Sequence, residues 1–408
     1  MKKILIIFCT PLLLFAQDDQ HKVTWNSNFL FESNSLNRSF LNSMLYGGHI
    51  TDSMKTKWIN AGDENNIIFS ELSNGFTYIN IKHNLGFSFA DRNILNASFA
   101  DDLLRIGFEG NFHHQDKTLD ISNTNIRADR FQQYKVIYGI AKDSSISINF
   151  GFSYLAGNHH LSYNIEKGSV YTAPFGTYLD IEYDMSAFAT DTADFSAFAK
   201  NGNGLAIDFS TDFRIKKYNV NLAITDLGFI MWNPSSISLA TDSTFNFQGV
   251  EVEDIFNFND SVVEANNILD DASETNTTSF KSYIPATVHL SVSGETKYKY
   301  LKTYTTGIVA KWHPYMDNEP LSFAKINQGF KESNFSPLYY IHTIFNTKYC
   351  DVIPKLSYGG YSNDANIGVA LSKEGKYNLL AGTHHLEDIF SGDNAKAVSV
   401  YFSVARQF

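Results

Sequence analysis

The chain has 408 residues, a formal net charge of −11 and an aromatic content of 15%, with 34 Phe and 22 Tyr. The acidic balance excludes a nucleic-acid partner, and no segment reaches the about 18 uninterrupted apolar residues that a membrane-crossing helix needs. Abundant aromatic residues favour β-strands and also populate the interfacial girdles of membrane barrels.

The N-terminus has the layout of a cleaved secretory signal. A basic start precedes an apolar stretch from Ile4 to Phe15, and the small residue Ala16 follows it. This stretch is too short to span a bilayer, so we predict a signal peptide at residues 1–16 with cleavage after Ala16. Cys350 is then the only cysteine of the mature chain, which therefore has no internal disulfide.

Most of the remaining chain alternates apolar and polar residues in segments of strand length. Within Ser145–Leu155, for example, Ile148, Phe150 and Phe152 share one face, and small or polar residues share the other. Period-two alternation over about 8–12 residues is typical of a tilted strand that crosses a bilayer. The clearest strands are predicted at Ser145–Leu155, Gly204–Lys216 and Ala286–Gly294. Weaker ones are predicted at Phe76–His83, Leu85–Asp91, Leu103–Phe112, Gln133–Lys142, Tyr218–Asp226, Thr303–Trp312 and Leu338–Lys348. The C-terminal end is predicted to form almost continuous hairpins, with strands at Lys355–Ser362, Ala365–Lys373, Lys376–His384 and Ala395–Arg406.

The predicted fold class is therefore all-β, an antiparallel transmembrane β-barrel of roughly 14 strands, an even number as in bacterial barrels. Two regions lack the alternation. Residues 17–66 are mixed and polar, and they are predicted to form an N-terminal segment that could plug the lumen. Residues 234–281 are acidic and are predicted to form a long extracellular loop of a barrel at 67–408.

A soluble β-sandwich is the alternative architecture, because its strands also alternate. Two features favour a barrel in the cell outer membrane. The polar faces repeatedly hold small and ionisable residues, as the lumen of a barrel does. The chain also ends in an alternating strand from Val398 to Phe408, whose aromatic last residue resembles an outer-membrane assembly signal, although Arg406 stands where an apolar residue is usual.

The sequence contains no motif that carries chemistry. Adjacent residues of a strand point to opposite faces, so no His-His pair can chelate a metal alone. Acidic pairs lie outside any recognisable calcium loop. No G-x-S-x-G, H-E-x-x-H, phosphate loop or C-x-x-C occurs. We therefore predict no enzyme activity, no cofactor and no metal. The pairs considered are His113-His114, His159-His160, His384-His385, Asp101-Asp102 and Asp270-Asp271.

Several stretches resemble an uncharacterised family of Bacteroidota outer-membrane barrels, itself similar to the long-chain fatty-acid transporter barrels. They are Leu45–Ile50, Leu103–Asn111, Asn203–Phe209 and Asp226–Trp232. The resemblance implies a barrel that binds or passively transports a small hydrophobic molecule. The alternative is a non-transporting barrel that anchors or assembles a surface or secretion protein. The expected partners are outer-membrane lipid and either such a molecule or such a protein.

An apolar ligand gains only where apolar surface leaves water, so transport requires an apolar pocket within the polar lumen. Ile79, Ile81, Leu103 and Ile137 lie on the faces of their predicted strands that are turned inward. We therefore predict that these four residues line the lumen pocket. The alternative is that they pack the N-terminal segment and seal the lumen, as a non-transporting barrel requires.

Overall fold

A computed structural model describes residues 20–143, 145–190, 196, 198–247, 274–313 and 323–408, so the predicted signal peptide lies outside the described residues. The α-helices are α1 Arg38–Tyr46, α2 Asp52–Asn60, α3 Asp101–Glu109, α4 Phe323–Glu332 and α5 Leu386–Phe390. The strands are β1 His21–Ser33, β2 Asn66–Asn80, β3 Leu85–Phe99, β4 Lys117–Asp120, β5 Thr124–Asp143, β6 Ile146–Thr172, β7 Leu179–Ala189, β8 Gly202–Ile215, β9 Tyr218–Trp232, β10 Ile237–Phe247, β11 Glu274–Thr277, β12 Lys281–Tyr283, β13 Ala286–Glu295, β14 Leu301–Trp312, β15 Ser336–Asn346, β16 Asp351–Gly360, β17 Asp364–Lys373, β18 Asn378–Thr383 and β19 Ala397–Gln407. None of these helices is long and apolar enough to cross a membrane.

Fourteen strands form a closed antiparallel barrel, which confirms the predicted fold class. Their order around the wall is β1, β2, β3, β5, β6, β8, β9, β13, β14, β15, β16, β17, β18 and β19. The first and last strands close the sheet, with Lys22 opposite Gln407 and Glu32 opposite Ala397. Closure gives every wall strand a hydrogen-bonded neighbour on both sides, so the barrel has no free edge.

The two faces of the wall differ in polarity as the alternation predicts. On β5, the apolar residues Val136 and Tyr138 are each 51% exposed on the outside, whereas Lys135 points into the lumen. On β13, Leu290 is exposed on the outside, and His289 hydrogen bonds to Tyr340 within the lumen. Side chains alternate between the two faces of a strand, so the outside of the wall carries a largely apolar belt.

The connections differ in length between the two ends of the barrel. Short turns at 81–84, 216–217 and 374–377 join strands at one end, here named the short-turn end. Residues 34–65, 100–123, 233–247 and 274–285 connect or extend strands at the other, the long-loop end. The backbones of His21 and Phe408 hydrogen bond reciprocally at 2.8 and 2.9 Å, so both described termini lie at the short-turn end.

The prediction that residues 17–66 contain no wall strand is wrong, because β1 closes the barrel. Its outward face is interrupted by Ser27, which hydrogen bonds to Asn74 at 2.8 Å, and this polar residue obscures the alternation. Helices α1 and α2 follow β1 and pack over the long-loop end, where Trp58 and Ile59 are buried. The segment therefore contributes a wall strand and a helical cap.

The prediction of a strand at Leu103–Phe112 is also wrong, because residues 103–109 belong to the helix α3. Asp101 and Asp102 occupy its first turn, where the positive end of the helix dipole favours acidic side chains. Gly110, with φ of 76°, follows its last residue and adopts a conformation that most side chains disfavour. Leu104 is buried against the cap helices, so the apolar residues of this stretch form the face of α3 that packs on the cap.

The acidic region at 234–281 is not a single loop, because it begins and ends in strands. β10 pairs along its whole length with β7, and β11 pairs with β10. Together with β4, β7 and β12 they extend the sheet beyond the barrel, continuing from the 27-residue strand β6. Residues 248–273, which hold most of the acidic side chains, lie outside the described residues.

The outward position of Leu290 gives a direct test of which face meets lipid. Leu290→Arg should destabilise the folded barrel by about 2–4 kcal/mol if the residue lies near the bilayer midplane, because an arginine there loses hydration. Ser293→Arg, on the lumen side of the same strand, should cost far less. Urea unfolding in lipid vesicles measures both. Equal costs would show that the outer face does not contact lipid.

Candidate functional site in the lumen

A network of charged side chains crosses the lumen between β2, β3 and β9. The guanidinium of Arg92 lies 2.8 Å from a carboxylate oxygen of Glu71 and 2.7 Å from one of Asp226. These three side chains are only 11–15% exposed, so the charges are largely removed from water. Such burial costs free energy unless the charges are paired, and here each carboxylate has a cationic partner.

A β-bulge directs Asp226 into this network. The pairing of β8 with β9 shifts register between Ile207 and Phe209, and Asp226 has a positive φ of 61° there. Aspartate tolerates this conformation better than most residues, and its backbone N–H donates to Asp208 at 2.7 Å. The Asp226 carboxylate also accepts a hydrogen bond from Gln133 at 2.8 Å and lies 3.3 Å from the ammonium of Lys135.

Lys311 connects the network to the opposite wall. It lies on β14, which is the seventh neighbour of β2 in either direction around the barrel. Its ammonium is 3.7 Å from Glu71 and lies over the rings of Phe69, Phe335 and Tyr361, at 4.9, 5.8 and 5.6 Å from their centroids. An ion pair and cation–π contacts thus link two walls that share no hydrogen bond.

A cavity of about 270 Å³ lies beside these charges. Its lining is polar, and the acidic and basic side chains largely neutralise one another. The lining residues are Asn28, Glu71, Ser73, Ser88, Ala90, Arg92, Gln133, Lys135 and Asp226. The cavity therefore offers a solute hydrogen bonds but no excess of either charge.

An aromatic layer lies across the lumen on the long-loop side of the charges. We use this name for Phe69, Phe131, Trp232, Phe280, Phe335 and Tyr361, most of which are fully buried. Tyr361 stacks on Phe69 with ring centroids 3.8 Å apart and an interplanar angle of 7°, and Phe335 meets its edge at 4.9 Å. Phe280, Phe335 and Tyr361 come from connections and not from the wall.

Hydrogen bonds to the wall hold these inserted connections. The backbone N–H of Tyr361 donates to Glu32 of β1 at 2.9 Å, and Gly359 and Gly360 turn the chain inward with φ of 109° and 83°. The side-chain amide of Asn96 on β3 donates to the carbonyl of Ser333 at 3.1 Å. The inserted connections are thus attached to β1 and β3, the two neighbours of the strand β2 that bears Phe69.

A buried Asp–His–Ser arrangement lies next to the aromatic layer. His160 contacts Asp129 at 2.7 Å through Nδ1 and Ser162 at 3.1 Å through Nε2, the order found in serine hydrolases. However, His160 is 3% and Ser162 7% exposed, and the His160 ring packs against Phe280. A nucleophile needs an adjoining space for substrate, so these contacts serve to satisfy buried polar groups.

His313 follows β14 in the same buried region. Burial and the nearby guanidinium of Arg127 lower the pKa of His313 well below its ordinary value, so its imidazole is neutral.

Within the described part of the chain, no group of three or more His, Cys, Asp or Glu side chains could hold a metal ion.

The structure brings together two of the four predicted pocket residues. Ile79 and Ile137 flank Gly86 on the lumen side, because a Cβ built on that glycine would lie 3.3 and 3.5 Å from them. Ile81 lies in the turn after β2, and Leu103 lies on α3 among the cap residues. Alternation could have identified the charged network, since ionisable residues occupy the inward face of several strands, but it could not have paired them.

The sequence matches a known family. The profile of a family of unknown function, DUF5723, matches residues 20–383. No curated protein sequence matches the chain. The toluene transporter TodX of P. putida has a TM-score of 0.41 at 7% identity, over 96% of this chain and 91% of that chain. A FadL homologue of Pseudomonas aeruginosa scores 0.42 at 7% identity, over 95% and 89%. The translocator domain of the autotransporter NalP from Neisseria meningitidis scores 0.36 at 7% identity, over 99% and 94%.

The charged network gives a test of how the lumen is held. Arg92→Met should destabilise the barrel by about 3 kcal/mol, because Glu71 and Asp226 would remain buried without their main partner. Arg105→Met removes an ion pair to Asp101 within α3, whose side chains are 35% and 24% exposed, and should cost less than about 1 kcal/mol. Unfolding midpoints in urea compare the two variants. Similar small losses in both would show that the lumen charges are solvated.

Proposed function

We propose that this chain, which belongs to the family DUF5723, is an outer-membrane barrel that binds a small, largely apolar molecule and lets it pass. The closed wall and its apolar outer belt support a place in a bilayer, where unpaired backbone groups are not tolerated. Short turns at one end and long connections at the other match the periplasmic and extracellular ends of bacterial barrels. The long-loop end is therefore assigned to the cell exterior.

The observation that carries this proposal is the aromatic layer across the lumen. A hydrated ion or sugar would have to lose water against Phe69, Phe335 and Tyr361 without gaining hydrogen bonds, so the layer opposes its passage. An apolar molecule gains free energy at the same surface, because apolar area leaves water. A lumen closed in this way favours apolar solutes over polar ones.

The charged network, which lies on the short-turn side of the aromatic layer, is compatible with an uncharged solute. Arg92 and Lys135 are already paired with carboxylates, so the cavity does not require a charged ligand. Its volume of about 270 Å³ is close to the lower limit of small-molecule sites, which are about 300–1,000 Å³. Ile79 and Ile137 then provide apolar surface on the inner wall toward the short-turn end.

Opening requires movement of connections, since the wall itself is continuous. Phe335 and Tyr361 lie on two different connections, and Lys311 contacts both rings. Withdrawal of these two rings would join the cavity to the long-loop end. Loops of this kind have lower local stability than wall strands, so they are the part of the barrel suited to gating.

Removal of the two rings tests the barrier. The double variant Phe335→Ala and Tyr361→Ala should conduct ions across a planar bilayer, whereas the unaltered barrel should stay closed, because the apolar barrier to hydrated ions is lost. Phe175→Ala is the matched control, since this aromatic residue is 87% exposed outside the lumen. Equal conductance in all three proteins would contradict an aromatic barrier.

Uptake of a labelled fatty acid by cells tests the transported class. Cells with the protein should accumulate the label faster than cells without it, and Ile79→Ser or Ile137→Ser should lower the gain roughly fivefold, by loss of apolar surface. Ile81→Ser should not, because Ile81 lies in a turn. If deletion leaves uptake of every apolar compound unchanged while a surface protein is lost, the anchoring alternative holds.

A further inference from the structure

We propose that the outer wall carries a binding site for an anionic membrane lipid, with the phosphate beside Lys200 and an acyl chain along Tyr134 and Tyr154. The site is a hollow of about 360 Å³ between β5, β6 and residues 198–200. It lies outside the barrel, so it is separate from passage through the lumen, but it rests on the proposed placement in a membrane.

The floor of the hollow lies at the edge of the apolar belt that is nearer the long-loop end. Along the outer face of β5, Val136 is 51% exposed and Tyr134 is 37% exposed, and the next outward residue is the polar Gln132. Tyr134 stands opposite Tyr154 on β6, with ring centroids 6.2 Å apart. Aromatic residues at such a boundary are typical of the membrane–water interface.

A small residue creates the space above these rings. Gln132 stands opposite Ala156, whose methyl group leaves the hollow unfilled on the β6 side. Phe198 and Lys200 complete the lining from the facing segment. Phe198 is 74% exposed beside the bilayer boundary, and an acyl chain in the hollow would cover its ring.

The segment that bears Lys200 is held in place by backbone and amide hydrogen bonds. The N–H of Asn201 donates to the carbonyl of Gly157 at 2.8 Å, and the side chain of Asn158 donates to the carbonyl of Ala199. Asn233 donates to the carbonyl of Lys200 at 3.2 Å. The rim of the hollow is therefore preformed.

Charge selects the headgroup. The ammonium of Lys200 lies 5.7 Å from the Tyr154 ring, and Arg130 projects from β5 two residues beyond Gln132. Arg130 has only a long contact of 3.5 Å to Asp91, and its buried Nε has no hydrogen-bond partner among the described residues. Among the described residues that line the hollow, Lys200 is the only charged one, and its positive charge attracts a lipid phosphate.

Native mass spectrometry of the full barrel in an uncharged detergent tests the site, with phosphatidylglycerol as the probe and phosphatidylcholine as the neutral comparison. Phosphatidylglycerol should be retained preferentially, and Lys200→Glu should reduce its retention about fivefold. Lys217→Glu is the control, because Lys217 also lies over a tyrosine ring, at 5.3 Å from Tyr218, but at the short-turn end. Equal losses in both variants would overturn the site in favour of general surface charge.

Two further measurements test the shape of the hollow and the source of the bound phosphate. Ala156→Trp fills the hollow without changing charge, so it should also abolish preferential retention while the heat-modified gel mobility of the folded barrel is kept. Retention unchanged in this variant would overturn the proposal. Inorganic phosphate should not displace the lipid, since the acyl chain contributes to binding; displacement would show a free-phosphate site. Fatty-acid uptake should be unaffected by Lys200→Glu, so this test and the transport test fail independently.

Discussion

The pairing of β1 with β19 is the constraint on which the rest of this structure depends. A membrane interior offers no hydrogen-bond partner to a strand edge, so a sheet that crosses it must close on itself. Closure fixes two faces of opposite character. The outer face must be apolar, as Val136 and Leu290 are, and the inner face must satisfy whatever polar groups it encloses.

The lumen network follows from the second requirement. Arg92, Glu71 and Asp226 lie on strands that are not all neighbours, and only the curvature of the closed wall brings them within 2.7–2.8 Å. Replacement of a buried ion pair by apolar residues is often neutral, so stability alone does not explain these charges. Their geometric role is clearer, because Lys311 and Glu71 connect walls on opposite sides of the barrel.

The long-loop end contributes what the wall cannot. A barrel of fourteen strands encloses more space than its inward side chains fill, and the inserted connections occupy that space with Phe280, Phe335 and Tyr361. The same end carries the helical cap around Trp58. Rigid strands therefore provide the closed wall, and connections provide the barrier on which the proposed selectivity rests.

The sequence by itself determined the fold class, the strands with an unbroken apolar face and the side of the wall that the residues of those strands face. Ile148, Phe150 and Phe152 share one face of a strand, because their spacing has period two and their neighbours in the chain are small or polar. Prediction from the sequence failed where one polar residue interrupted the alternation, as Ser27 does in β1. It also failed in α3, where three apolar residues fitted both the strand period and the helix period.

Only the tertiary structure decided the site. Glu71 and Arg92 lie outside the predicted strands, and Lys311 lies in the one at Thr303–Trp312. The contacts among these three residues depend on strand order, register and closure over more than two hundred residues of chain. It also separated Ile79 and Ile137 from Ile81 and Leu103, which sequence spacing had grouped together. Local periodicity reports which way a side chain points, whereas a lumen contact depends on which distant strand stands opposite, and that is set by the closed sheet as a whole.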